Sequence, residues 1–335
     1  MTARIANNPR EKMSISVVVC AYTEERWEEL NLAVSSIRQQ TQPPSEIILV
    51  IDHNPQLFDL ARTKFQDLIV VSNLEMRGLS GARNTGMNVA TGEIVAFMDE
   101  DAFAEPDWLK HLESGYLDSE VLGVGGVILP EWTANRPVWF PEEFDWVVGC
   151  TYRGMPTATA PVRNLIGANM SFRKSVFLKV GGFKNGLGRI GTLPMGCEET
   201  EYCIRAIGEF PNGIVLYEPQ ARVHHKVPTT RATWRYFLRR CYAEGLSKAQ
   251  VSRAVGSQTG LSNERTYMLS VLPHGLLTGF RDSFREKNTH GLKRSFAISV
   301  GLLTTIAGYL YGSRQAKRFT APRITPSVRK VVIGK

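Results

Sequence analysis

The sequence has little cysteine. Its five cysteines, Cys20, Cys150, Cys197, Cys203 and Cys241, are odd in number and never spaced as C-x-x-C. That argues against a disulfide framework and against a zinc site. There is no internal repeat and no low-complexity tract. No zinc-finger spacing or groove-reading module accompanies the net charge of +8, so no nucleic-acid partner is expected. No opening stretch reads as a secretory leader, because MTARIANNPREKM is polar and gives way to a short strand-like run. The expectation is a cytoplasmic chain. Long apolar runs are scarce as well. FAISVGLLTTIAGYLYG (296–312) falls short of the ~20 residues a spanning helix needs, and it carries Ser299, Thr304 and Thr305.

What is present is an ordinary globular composition, 43% hydrophobic over 335 residues, enough for one large domain with an appendage or for two. The positive charge is uneven. From Arg222 onward Lys and Arg are common and acids few. Such a balance attracts an anionic membrane surface or phosphate-bearing substrates, although for any single cluster a solvated basic face is the plainer reading.

Buried strands are expected at SISVVVC (14–20), EIILVID (46–52), DLIVVSN (67–73), EIVAFMD (93–99) and VLGVGGVIL (121–129). Between them, residues 24–40 carry Trp27, Leu30, Ala33, Val34 and Ile37 at helical spacing, and Pro43 and Pro44 follow. Helices are also expected over 58–65, 80–91 and 107–117. The alternation implies a mainly parallel sheet with helices on both faces, whose ligands gather at the carboxyl ends of the strands. Residues 130–165 interrupt it with five prolines and with Trp132, Trp139, Phe140 and Trp146. These aromatics either face a substrate or pack on the core. After residue 255, YMLSVLPHGLLTGF (267–280) and the 296–312 run lie between basic residues such as Lys293, Arg294, Arg314, Lys317 and Arg318. They read as helices that span, lie in the interface of, or avoid a membrane, with association favoured. The divisions are thus a polar tail (1–13), a catalytic domain (14–254) and a basic, apolar helical region (255–335).

The chemistry concentrates in AFMDEDAFAEPDW (96–108). Carboxylates at the end of a buried strand are costly to desolvate unless paired. In an extended chain Asp99 and Asp101 face one side and Glu100 the other. Two hard oxygen ligands on one side suit Mg²⁺ or Mn²⁺.

SVVVCAYTEE (16–25), ILVID (48–52), RGLSGARNTGMNVATGEIVAFMDED (77–101), GANMSFRK (167–174), GCEETEYCIR (196–205) and VHHKV (223–227) occur in this order. Together they resemble the inverting nucleotide-sugar glycosyltransferases of family two, over about residues 14–250. The resemblance implies a GT-A fold, Rossmann-like and mainly parallel, and transfer from a nucleotide-diphosphate sugar, UDP-linked by family habit. The acceptor it implies is a saccharide or a polyprenyl-phosphate-linked saccharide. It matches Ala21, Tyr22, Glu24 and Asp52 to nucleoside contacts, Arg83 and Asn84 to the donor phosphates, and Asp99 to the ribose. Asp99 and Asp101 would hold the metal, with His225, or its neighbour His224, closing over it. Gly167, Ala168, Asn169 and Glu198 would line the acceptor side. Glu199 matches the general base, where the family usually has Asp.

The residues themselves support a base in GCEETEYCIR. On a helix, Glu198, Glu201 and Arg205 share one face, which reads as exposed. Glu199 lies with Tyr202, Cys203 and Ala206, the apolar setting in which a perturbed carboxylate functions. The plainer alternative is charge at a positive helix N-terminus. Cys197 and Cys203 read as small packing residues. Two other functions remain open from sequence. A nucleotidyltransferase would need a basic glycine-rich turn where CAYTEERW stands, and a non-catalytic carbohydrate-binding protein would have no use for intact Asp99, Asp101 and Glu199.

Overall fold

The computed structural model describes residues 12–186, 196–255, 264 and 267–315. Strands β1 (Ile15–Ala21), β2 (Glu46–Ile51), β3 (Ile69–Ser72) and β4 (Ile94–Asp99) lie parallel in the order β3-β2-β1-β4. Their valines and isoleucines alternate between two cores, as a pleated strand requires. Val17, Val19, Leu49 and Ile51 face helices α1 (Trp27–Arg38) and α2 (Pro55–Lys64). Val18, Ile48, Val50 and Phe97 face α3 (Leu79–Val89) through Ala82 and Met87. The helical spacing of residues 24–40 holds, with a single 3₁₀ turn over Glu24–Arg26 leading into α1.

Beyond β4 the sheet becomes mixed. A short β5 (Ala102–Ala104) follows the acidic turn, and α4 (Trp108–Ser114) leads to β6 (Val121–Trp132). The minor strand β7 (Ala160–Pro161) precedes β8 (Asn169–Arg173), which runs antiparallel to both β4 and β6. Helices α5 (Lys174–Val180) and α6 (Glu198–Glu209) then lead to β9 (Ile214–Val227). This strand pairs parallel with β6, slips register after Gly126, and pairs antiparallel with β5. The slip carries its far half across the carboxyl end of β4, so His225 stands opposite Ala102.

The long loop divides. Trp139 stacks on Trp234 at 4.2 Å, and Phe140 and Phe144 pack on Phe237, so these aromatics are core. Phe144 also lines the cavity, with Trp146 beside it.

Three helices complete the described chain: α7 (Trp234–Val255), α8 (Leu272–Glu286) and α9 (His290–Arg314), with a π turn over Tyr267–Val271 before α8. The boundary read at residue 254 falls at the end of α7, yet α9 lies directly along α7. A Cβ on Gly245 would stand 2.1 Å from the Thr305 carbonyl oxygen, and one on Gly308 would stand 2.2 Å from that of Tyr242. The two backbones touch, which only glycine permits. By length and composition α9 is able to cross a membrane, but its Gly291, Ser295, Ala297, Ile298, Gly301 and Gly308 are buried against the protein.

Candidate active site

A cavity of ≈ 990 Å³ opens at the carboxyl ends of β1, β2 and β4 and runs to α7 and α9. The register makes this inevitable. Cys20 pairs with Asp99, and Ala21 with Ile51, so Ala21, Asp52 and Asp99 end at one level. Ala21, Tyr22, Asp52, Arg83, Asp99, Asp101, Gly167, Ala168, Glu198, Glu199 and His225 all line the cavity.

Near its centre Asp99, Asp101 and His225 each offer one ligand atom, all within 4.8 Å of one another. The β5–β9 ladder sets this, since Lys226 N–H donates to the Asp101 carbonyl at 2.9 Å and brings the histidine alongside. His225 Nε2 is 3.2 Å from Asp101 Oδ1; Arg231 and Arg26 approach Oδ2 at 3.2 and 3.1 Å. Burial pushes the Asp101 carboxyl up, but His225, Arg231 and Arg26 outweigh it and hold the acid ionised well below the usual carboxylate range. The expected strand alternation is corrected here: β4 ends at Asp99, residues 100 and 101 form a turn, and Glu100 shares one Arg26 nitrogen with Asp101, at 2.9 Å. There burial raises Glu100 to about 8 despite that arginine. Two carboxylates and an imidazole fit Mg²⁺ or Mn²⁺ in donor type and in mutual reach.

At one end of the cavity Asp52 accepts hydrogen bonds from Asn73 Nδ2 at 2.7 Å and from the Gly78 N–H at 2.9 Å. Tyr22 is exposed beneath the Arg26 guanidinium. Glu24 accepts from Asn54 Nδ2 at 3.0 Å and does not line the cavity.

Arg83, 2% exposed, occupies the middle. It donates to Glu198 at 2.7 Å, to Asp99 at 3.3 Å and to the Gly167 carbonyl at 3.1 Å. It therefore ties β4, α6 and the 167 turn together. Asn84 does not join it. Its amide accepts from Phe183 N–H at 2.8 Å and donates to Phe183 O at 2.9 Å, away from the cavity. Asn169 also turns inward. Its amide accepts from Trp108 Nε1 at 2.8 Å and donates to the Val127 and Ala221 carbonyls, so it knits α4, β6, β8 and β9.

The expected exposed face of α6 is corrected. Glu198 is 4% exposed and Glu201 0%. Arg205 donates to Glu201 and to the Val180 and Gly182 carbonyls, so the 180–184 segment covers this face. A helical wheel shows which residues share a face, not what lies over it. Glu199 lines the cavity. It is half-buried because it faces the cavity, whose walls surround it. That burial, and then the nearby Glu198 charge, raise its carboxyl well above the usual value, against the pull of Arg83. Tyr202, Cys203 and Ala206 pack behind it in the second core. His224 is separate from the cavity, stacked on Phe103 and contacted by Glu131 and Glu105.

Several lining residues gave no sequence signal. Arg231 flanks Asp101, as does Arg26 one residue past the first motif, and Arg240 and Lys248 come from α7. Their chain positions lie outside any motif; only tertiary packing brings them in.

Residues 16–181 match the profile of glycosyl transferase family 2. A glucosyl-dolichyl phosphate glucuronosyltransferase of Haloferax volcanii is 35% identical over 304 residues, covering 90% of this chain and 96% of that protein. A succinoglycan biosynthesis protein of Rhizobium meliloti is 24% identical, covering 71% and 74%. Among solved structures, a mannosyltransferase from Pyrobaculum calidifontis in complex with GDP-Man and Mn²⁺ superposes with a TM-score of 0.58, at 17% identity, over 91% of this chain and 89% of that one. This last likeness is one of fold. The fold, the motif series and the extent of the match together make the chain a member of glycosyl transferase family 2, a glycosyltransferase of the GT-A type.

Proposed function

We propose that this glycosyltransferase moves a sugar, with inversion, from a UDP-linked donor to a saccharide carried on a polyprenyl phosphate at the inner face of a membrane. One observation carries the reading. One cavity is lined by Asp99, Asp101 and His225, whose ligand atoms lie within reach of one another, by Glu199, and by the apolar Leu272, Leu302 and Ile306. The relative from Haloferax volcanii is named for an acceptor of this class.

Asp99, Asp101 and His225 would hold the divalent ion, which when bound neutralises charge on the leaving diphosphate. The imidazole in the set favours Mn²⁺ over Mg²⁺. Asp52 and Tyr22 bind the nucleoside end. Arg83 fixes Asp99 and the start of α6 relative to each other. Glu199 takes the proton from the attacking hydroxyl. Its raised affinity for a proton makes it a stronger base than an ordinary carboxylate once it is ionised.

Helices α8 and α9 support the membrane part. Leu277, Phe280, Phe284, Phe296, Leu303 and Leu310 are exposed on them, beside exposed Arg281, Arg285 and Lys293. Apolar residues interleaved with cations suit the interface of an anionic bilayer. A thermal-shift series with UDP, GDP and their sugars, with and without Mn²⁺, tests the donor. UDP with Mn²⁺ should raise the melting temperature more than GDP with Mn²⁺. A larger shift with GDP would overturn the UDP assignment.

A further inference from the structure

Between the base and the apolar wall lies a group of charges that the donor reaction does not use. Arg163 donates to Glu264 through both terminal nitrogens, at 2.7 and 2.8 Å. Lys248 contacts Glu264 at 2.6 Å and Glu244 at 3.3 Å, and Arg240 lies 3.8 Å from Glu244. All five side chains are at most 19% exposed, and all line the cavity. Three cations thus face the two carboxylates Glu244 and Glu264. The forked contact of Arg163, with Lys248 beside it, is the geometry that also takes phosphate oxygens. The Glu264 carboxylate shows that an oxyanion fits there.

The position is as telling as the charge. Cys197, two residues before Glu199, donates its thiol to Glu244 at 3.6 Å, so the cluster adjoins the start of α6. On its other side, Gly245 of α7 touches Thr305 of α9, and Thr305, Leu302 and Ile306 form the apolar wall. Moving along the cavity, one meets a base, then cations, then an apolar surface. A lipid-linked saccharide presents a hydroxyl, then a phosphate, then a hydrocarbon chain.

We infer that Arg163, Arg240 and Lys248 form the subsite for the phosphate of the acceptor, and that Glu264 holds two of these cations until that phosphate takes its place. The inference rests on the lipid-linked acceptor proposed above. It requires no covalent step, only exchange of one oxyanion for another.

The test compares two acceptors on the full chain. One is glucose joined through phosphate to a short polyprenyl chain; the other is octyl glucoside, which has no phosphate. The readout is the ratio of their kcat/KM values. Lys248→Met and Arg163→Met should each lower that ratio at least tenfold, with the KM for the donor unchanged. Lys248→Arg should restore most of it, which separates lost charge from lost folding. Glu264→Gln should lower the KM for the phosphate-bearing acceptor, because its competing carboxylate is gone. Unchanged ratios in both methionine variants, with the wild type preferring the phosphate-bearing acceptor, would overturn the subsite alone. A wild type indifferent to the phosphate would overturn the lipid-phosphate reading and the subsite with it.

Discussion

Replacing Glu199 by Gln separates catalysis from folding in one protein. The change keeps the shape and removes the proton-accepting charge. A positioned base contributes about 10²–10⁴-fold to rate, and each tenfold is about 1.4 kcal/mol of barrier. A fall in kcat of at least about a hundredfold is therefore expected, with the KM for the donor nearly unchanged because a base acts on the proton in the transition state and contributes little to holding the donor. Stability should move the other way. Burial and Glu198 raise the Glu199 carboxyl above its ordinary value near 4.5. The folded protein then binds this proton more tightly than the unfolded chain. Stability falls as pH rises from the ordinary value toward the raised one, and stays lower beyond it. Gln has no proton to lose, so the variant should melt no lower than the wild type at pH 8, and higher if anything. The same raised value places the acid limb of the wild-type kcat profile above pH 4.5. The assay is steady-state transfer across pH with a parallel melting series. Near-normal turnover, or activity and melting temperature falling together, would refute the assignment. Shortening the acid with Glu199→Asp should also lower kcat, since the base must lie within hydrogen-bond reach of the proton it takes.

Glu198→Gln should cost less turnover than Glu199→Gln but more stability, about 1.5–3 kcal/mol in denaturant titration, because it removes the charge 2.7 Å from buried Arg83 and leaves Asp99, at 3.3 Å, as the carboxylate on that guanidinium. It should also move the acid limb of kcat to lower pH, since it removes a charge that raises Glu199. Asp101→Asn should abolish Mn²⁺-dependent nucleotide binding in calorimetry while nucleotide binding without metal persists; undiminished metal dependence would exclude Asp101 as a ligand. Phe284→Ser combined with Phe296→Ser should leave turnover of soluble acceptors intact and cut sedimentation with anionic liposomes, and equal sedimentation would show that this face does not meet lipid.

The half of the molecule that strands and helices build in sequence was legible from residue pattern. Val17 to Val19 alternate between two cores, and Asp52 and Asp99 end their strands, so the site's floor follows from the order of β1, β2 and β4. Asp99, Asp101 and His225 were found as a set only through resemblance, because the pairing of β5 with β9 joins residues more than a hundred positions apart. Periodicity failed where coverage decides. Glu198 and Glu201 read as exposed, yet Arg83 and the 180–184 segment cover them. Asn84 and Asn169 sit in motifs beside site residues, but an amide offers both donor and acceptor, and each spends them fixing backbone. The walls from α7 and α9 carry no local signal, since what places them is contact between helices distant in sequence.

The glycine contacts between α7 and α9 have a mechanical meaning. Backbone against backbone leaves no side chain to bend between α7 and α9. A bilayer that took up Phe296, as proposed above, would therefore hold α7 and α9 as one piece, like a tool clamped to a bench. Widening the seam with Gly245→Ala or Gly308→Ala would loosen the clamp without touching a single reacting group.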